Sequence, residues 1–199
     1  MANNRWIALG ALSILLSACT TPTVDPTPTS ATPSATATTV PVSPPTPSPT
    51  PTWNNAQSAA VGAVERYEEV TAEIAADPSA FSAAEMTAMF AKAVGENMVK
   101  GNVDYFLEMS KRGYKEVGVR TATSTSATDV QDNGRGAEVH VTRCWDQRDL
   151  QVVDEDGKPV TDEEFLNPPY NLRQYTALKP TGEEIFRVYG AETINGACP

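Results

Sequence analysis

The sequence predicts an α+β domain, with helices first and a run of antiparallel strands after them. Three observations predict it. Between residues 54 and 98, apolar residues recur at helical steps of three and four. From Tyr114 onward the composition turns β-branched and hairpin signals appear. All of this follows residues 20–52, "TTPTVDPTPTSATPSATATTVPVSPPTPSPTPT", which hold 10 of the chain's 16 prolines and one charge, Asp25. Such a segment cannot build a core, because proline removes backbone donors and Thr and Ser bury little. The folded part is therefore expected over residues 53–199, enough for one ordinary domain. Helices and strands segregated along the chain give α+β and not alternating α/β.

The first helix is expected over 54–76. Ala60, Val61, Val64, Tyr67, Thr71 and Ile74 make its apolar stripe, while Glu65, Arg66, Glu68, Glu69 and Glu73 fall largely elsewhere. Asp77-Pro78 ends it, since proline pushes its predecessor out of helical geometry. Ser82-Ala83-Ala84-Glu85 is a capping box and opens a second helix. Met86, Met89, Phe90, Ala93, Val94 and Met98 then form one stripe, read as core packing and not as a metal surface. A third, short helix is expected from Asn102 to Arg112, stopped by Gly113.

The strand region begins with "YKEVGVRTATSTSATDVQ". "DNGRG" follows, with Asn133-Gly134 as a hairpin turn. "AEVHVTRCW" alternates, setting Val139, Val141, Arg143 and Trp145 on one face and His140, Thr142 and Cys144 on the other. "DLQVVDEDGKPV" reads as a short strand turning at Asp154 to Gly157. "PPYN" marks a break, and "LRQYTALKPTGEEIFRVYGAET" a second hairpin turning at Pro180-Thr181-Gly182.

Arg5 and Asp25 cancel, so residues 53–199 carry the whole net charge of −10. That excess repels nucleic acid and anionic headgroups, and no nucleic-acid partner is expected.

The amino-terminal stretch has the build of a secretory signal: Arg5 in a positive start, an 11-residue apolar run from Trp6 to Leu16, then small Ser17 and Ala18. A spanning helix needs about 20 apolar residues, so the run is too short to remain as one. Leu16-Ser17-Ala18-Cys19 resembles a bacterial lipobox. The resemblance implies a signal peptide over 1–18, cleavage before Cys19, and fatty acylation of Cys19, palmitate being a typical chain. The mature protein would then sit on the outer face of the cell membrane, its partner being the membrane itself, since two acyl chains suffice for stable anchoring. The alternative is an ordinary secretory signal with a chance cysteine, which would leave a free, reactive thiol. Residues 19–52 are then the lipidated cysteine and its linker. In polyproline II, at about 3.1 Å per residue, this linker spans roughly 100 Å, as a stalk or a neutral spacer. Its Ser/Thr/Pro composition also suits O-glycosylation. With Cys19 acylated, Cys144 and Cys198 remain as a pair outside the cytoplasm, where disulfides persist.

The order of helices and strands resembles the nuclear transport factor 2-like superfamily, in which helices pack on a curved antiparallel sheet to form a cone. More closely it is similar to a group of exported actinobacterial proteins of that fold. The residues that carry the likeness are Cys144-Trp145-Asp146, Asp154-Glu155-Asp156-Gly157-Lys158, Phe186-Arg187-Val188 and Cys198. Phe186 stands where that group more often has tryptophan. The Ala- and Thr-rich composition fits a high-GC actinobacterium or one of its phages.

Isomerases and cyclases of the superfamily hold an acid or base inside the cone. Here the only histidine, His140, lies mid-strand, where pairing across the sheet accounts for it. Asp146 is expected to hold a turn through backbone amides. No catalytic residue, metal ligand or cofactor is assigned. A single histidine gives no zinc set, and the acidic runs Asp154–Asp156 and Asp162–Glu164 lack the ligand spacing of an EF-hand. Two function classes remain. One is a surface-anchored module that binds an extracytoplasmic protein or a small apolar ligand, with a phage lipoprotein that blocks infection as a narrower version. The other is a small cone-fold enzyme acting on an apolar ligand. A buried carboxylate or histidine facing a cavity would favour the enzyme, and a filled cone the module.

Overall fold

The computed structural model describes residues 52–161, 165, 168–196 and 198. Cys19, the apolar run before it, the proline-rich segment up to residue 51 and the acidic run Asp162–Glu164 lie outside the described residues.

Helix α1 runs over Asn55–Ala76 and opens on a capping box that the sequence reading did not mark. Gln57 N donates to Asn54 Oδ1 at 2.9 Å, and Asn54 N donates to Gln57 Oε1 at 3.0 Å. Gln57 Nε2 also donates to Thr128 O at 3.1 Å, tying the helix start to the sheet. The helix stops at Asp77, and Pro78–Ala80 makes one 3₁₀ turn. Helix α2 is Ala83–Ala93, with the expected Ser82–Glu85 box. Helix α3 is Glu96–Lys111.

The boundary between α2 and α3 differs from the expectation of a helix running past Val94 to Met98 and a third one starting at Asn102. The break falls at Val94-Gly95. Val94 turns extended and bridges Val188, and Gly95 N donates to Val188 O at 2.8 Å. The cause is tertiary. Tyr189 packs so close that a Cβ on Gly95 would lie 2.4 Å from its ring. Only glycine admits that approach, and α3 restarts one residue later. The methionine stripe survives the break: Met86 is fully buried and Met89 and Met98 pack against the core.

The strands are β1 (Lys115–Gly118), β2 (Thr121–Ala127), β3 (Gln131–Asp132), β4 (Gly136–Asp146), β5 (Leu150–Val153), β6 (Tyr170–Pro180) and β7 (Arg187–Thr193). The main sheet is antiparallel in the order β2-β4-β6-β7, with β3 also on β4. β1 and β5 form a separate antiparallel pair. The Asn133-Gly134 turn joins β3 to β4, with Gly134 at φ 77°. β6 begins at Tyr170, so the "PPYN" break ends at Pro169. Three helices packed on antiparallel sheet make the fold α+β.

Alternation on β4 falls as the sequence predicts. Val139 and Val141 enter the core with Tyr175, Ala177 and Val188 from the neighbouring strands. They meet Val61, Val64, Phe90 and Phe106 from the helices. Aromatic contacts carry the layer packing: Phe90 stacks on Phe106 at 5.9 Å, and Tyr67 meets Tyr175 edge-on at 6.2 Å. On the other face of β4, Cys144 bonds Cys198 with their Cα atoms 5.4 Å apart, fastening the chain end to an interior strand.

Two outcomes follow. Cys144→Ala with Cys198→Ala should cost about 4 kcal/mol in urea unfolding, from the 54-residue loop the bond closes. Gly95→Ala should cost about 2 kcal/mol by overpacking against Tyr189. A melt unchanged by Gly95→Ala would mean the ring moves aside freely.

Candidate functional site

Four residues put charge where the sheet alternation and the helix stripe would otherwise put apolar side chains. Arg143 and Arg173 are direct partners across β4 and β6, so both side chains share the inward face with Val141 and Tyr175. Arg120 approaches from the connection between β1 and β2 and lies over the Trp145 ring at 5.5 Å. Glu68 reaches them from α1 and is 8% exposed. The sequence reading placed Glu68 with the charged, solvated side of α1, and the structure corrects this. Val61, Val64, Glu68 and Ala75 form one buried line at helical spacing.

Glu68 Oε2 accepts from Arg143 Nη1. Arg143 also donates from Nε to Thr125 Oγ1 at 3.2 Å, sits over Trp145 at 4.9 Å, and has Glu65 Oε1 at 3.7 Å. Glu68 Oε1 is buried with no hydrogen-bond partner among the described residues. Burial pushes the Glu68 carboxyl above its ordinary value of 4.5, outweighing the pull of Arg143, the Tyr175 phenol and Arg120. Burial, and then the nearby Glu68 charge, push the Tyr175 phenol upward too.

Beside this pair, at the end of the sheet, lies a cleft of about 540 Å³. Tyr67 and Thr71 of α1 and Asn102, Tyr105 and Phe106 of α3 form one side. Trp145, Gln147, Asn171, Arg173 and Thr193 form the sheet side, and Glu116 and Arg120 close it from β1 and the turn after it. Tyr67 donates to Asn102 Oδ1 at 3.0 Å, and Asn102 Nδ2 to Met98 O at 2.8 Å, so these polar groups are already satisfied. Gln147 and Arg173 are not. Gln147 is 5% exposed, and its Oε1 has no partner among the described residues. Arg173 Nε is buried and likewise without one.

The residues weighed at the sequence level lie elsewhere. His140 sits on the outer face, with Nε2 3.2 Å from Glu138 Oε1 and Nδ1 3.4 Å from Thr176 Oγ1, its cross-strand partner. Asp146 accepts from Arg148 N at 3.2 Å, as expected for a turn, and clasps the Arg148 guanidinium as well. Those hydrogen bonds hold its carboxyl below the usual range. Asp154 Oδ1 accepts from Lys158 N at 2.9 Å, and Asp156 pairs with Lys158 Nζ at 3.0 Å. No group of three or more His, Cys, Asp or Glu with metal-binding geometry occurs among the described residues. Glu68, Arg120, Gln147 and Arg173 were missed. The signal that reaches part of this site is Arg143: a guanidinium on the inward face of an interior strand needs a carboxylate opposite it.

No protein-family model and no curated protein matches the sequence. Among solved structures, the chain is similar to the intermembrane space region of the chloroplast protein ARC6, with 13% identity and a TM-score of 0.49. That likeness covers 73% of this chain and 100% of the other. A likeness this distant does not bear on function.

The pair generates a stability test. Arg143→Ala strands a buried carboxylate and should cost about 4 kcal/mol, more than Glu68→Met combined with Arg143→Leu. The pH dependence has a defined sign. With its pKa raised in the fold, Glu68 binds a proton more tightly folded than unfolded. Its contribution is therefore most favourable below pH 4.5 and declines as pH rises through the folded-state pKa. The unfolding free energy of wild type minus that of Glu68→Gln should fall across this window, and a flat difference would contradict the assignment.

Proposed function

We propose that the protein is a lipid-anchored extracytoplasmic binding protein, its α+β domain of the nuclear transport factor 2-like kind held outside the membrane by the Pro/Thr-rich linker. The observation that carries the binding part is the cleft, lined by Gln147 and Arg173, each of which carries a buried polar atom without a partner among the described residues. Leaving such groups dry and unpaired costs stability, and a ligand that satisfies them recovers it. Anchoring is supported by Leu16-Ser17-Ala18-Cys19 at the end of a short apolar run. No helix among the described residues is long and apolar enough to cross a membrane.

One observation favours a second reading, a small cone-fold enzyme. Glu68 is a buried carboxylate with a raised pKa, the property a general base near neutral pH needs. Against it, one Glu68 oxygen is already engaged by Arg143. Its walls are Glu65, Glu69, Ala72, Arg120 and Trp145, a shallow charged surface in place of an apolar chamber.

Cys19→Ala in cells should abolish incorporation of a labelled fatty acid and release the protein from the membrane fraction. Retained label and retained membrane association would refute the anchor. For the cleft, thermal shift of the full chain against a mixed library of neutral, cationic and anionic metabolites should return stabilising members. Gln147→Leu should remove their effect, and a library without any stabilising member would refute the binding reading.

A further inference from the structure

Opposite charges find each other over most of this surface. Lys100 pairs with Asp104, Arg112 with Glu108, Arg148 with Asp146, Lys158 with Asp156 and Arg187 with Glu183. In a chain with ten more acidic than basic side chains, carboxylates are in surplus. Arg173 nevertheless has no carboxylate within salt-bridge distance among the described residues, and Arg120, though it donates to Glu68 O at 3.5 Å and its charge acts on the Glu68 carboxyl, forms no salt bridge among them either. Both are half-buried, and both line the same cleft. Among the described residues Glu116 is the one carboxylate on that lining, which gives these residues an excess of one positive charge inside a strongly acidic domain.

The rest of the site restricts what answers that charge. Arg173 stands directly across from Arg143, a like-charge pair on one face of adjacent strands. Such a pair is destabilising unless anions separate it. Arg143 has Glu68 and Glu65, whereas Arg173 has no equivalent. Guanidinium groups present planar forks that match oxygen acids such as carboxylate and phosphate. Close by, the unpartnered Gln147 Oε1 is an acceptor, so it calls for an O–H or N–H donor on the same ligand. Asn171 and Thr193, already bonded at 3.3 Å, add polar edge and leave little wall for a purely hydrocarbon ligand.

We infer that the cleft takes a small hydroxylated organic anion, its carboxylate or phosphate met by Arg173 and Arg120 and its hydroxyl donated to Gln147 Oε1. This rests on the binding reading above and replaces the apolar ligand expected from the sequence by a charged one. The cavity is large enough for a molecule of monosaccharide size.

The test uses the full chain and three probes of nearly equal size: D-galacturonate, D-glucose 6-phosphate and uncharged D-glucose. Titration calorimetry should show at least one anionic probe binding about tenfold or more tighter than glucose. The arm that binds identifies carboxylate or phosphate as the recognised group. Arg173→Gln should weaken that binding about tenfold and Arg120→Gln by a smaller factor, while Arg173→Lys, which keeps the charge and loses the fork, should fall between Arg173→Gln and wild type. Raising NaCl from about 50 to about 500 mM should weaken the anionic probe and leave glucose unchanged. Unchanged thermal melting of Arg173→Lys separates lost binding from lost folding. Glucose binding as tightly as the anions, anion binding indifferent to both arginine substitutions, or no binding by either anion would each overturn the inference. A neutral or cationic library compound whose binding depends on Gln147 would meanwhile leave the cleft itself standing as a binding site.

Discussion

The ion pair between Glu68 and Arg143 joins the first helix to the second strand of the main sheet, and the open end of the domain is arranged around it. Taking both groups out of water is expensive, and their attraction offsets this only because the geometry is close and further partners assist. Arg143 has those partners in Thr125, Glu65 and the Trp145 face. Glu68 has Tyr175 beside it as well, but burial still outweighs these partners. The pair therefore specifies how α1 sits on β4 more than it adds to net stability. A slide of one helical turn would take the Glu68 carboxylate away from Arg143 and from its buried place on the sheet.

That placement in turn divides the inward face of the sheet. Toward Val139, Ala177 and Val188 the face is closed by helices and aromatic rings. Toward Trp145, Asn171 and Thr193 side chains become polar and the cleft opens. The boundary runs through Tyr175 and Phe106, both buried. Among the described residues, the space between helices and sheet is thus filled over most of its depth, and the cleft opens at its end. The packed part of that face is apolar, and the lining of the cleft is mostly polar.

Much of the fold was legible because local signals agreed with each other. Ser82 and Glu85 mark a helix start, Pro78 a stop, Asn133-Gly134 a turn, and β4 alternates cleanly. The α2–α3 break was not legible, because it depends on Tyr189 approaching Gly95 from a strand more than ninety residues away. Helical periodicity continues straight through that point, and only tertiary crowding interrupts it. The candidate site was legible only in Arg143. Glu68 sits among Glu65, Glu69 and Glu73, so composition hides which glutamate turns inward. Gln147 and Arg173 gain their meaning from groups they fail to find, which no sequence pattern records.

The disulfide has a mechanical side. Load entering the domain from its amino-terminal end arrives at Asn54 and is borne by the first turn of α1, held to the sheet by Gln57 on Thr128. Load reaching Cys198 passes across the disulfide to β4, so the covalent loop that encloses β5, β6 and β7 is bypassed. Under tension α1 is the first element loaded, while the strands enclosed by the loop cannot be drawn out. Extension would be spent first on α1, which carries Glu68 and part of one wall of the cleft, so that pulling would dismantle that wall before it unravelled β5, β6 and β7.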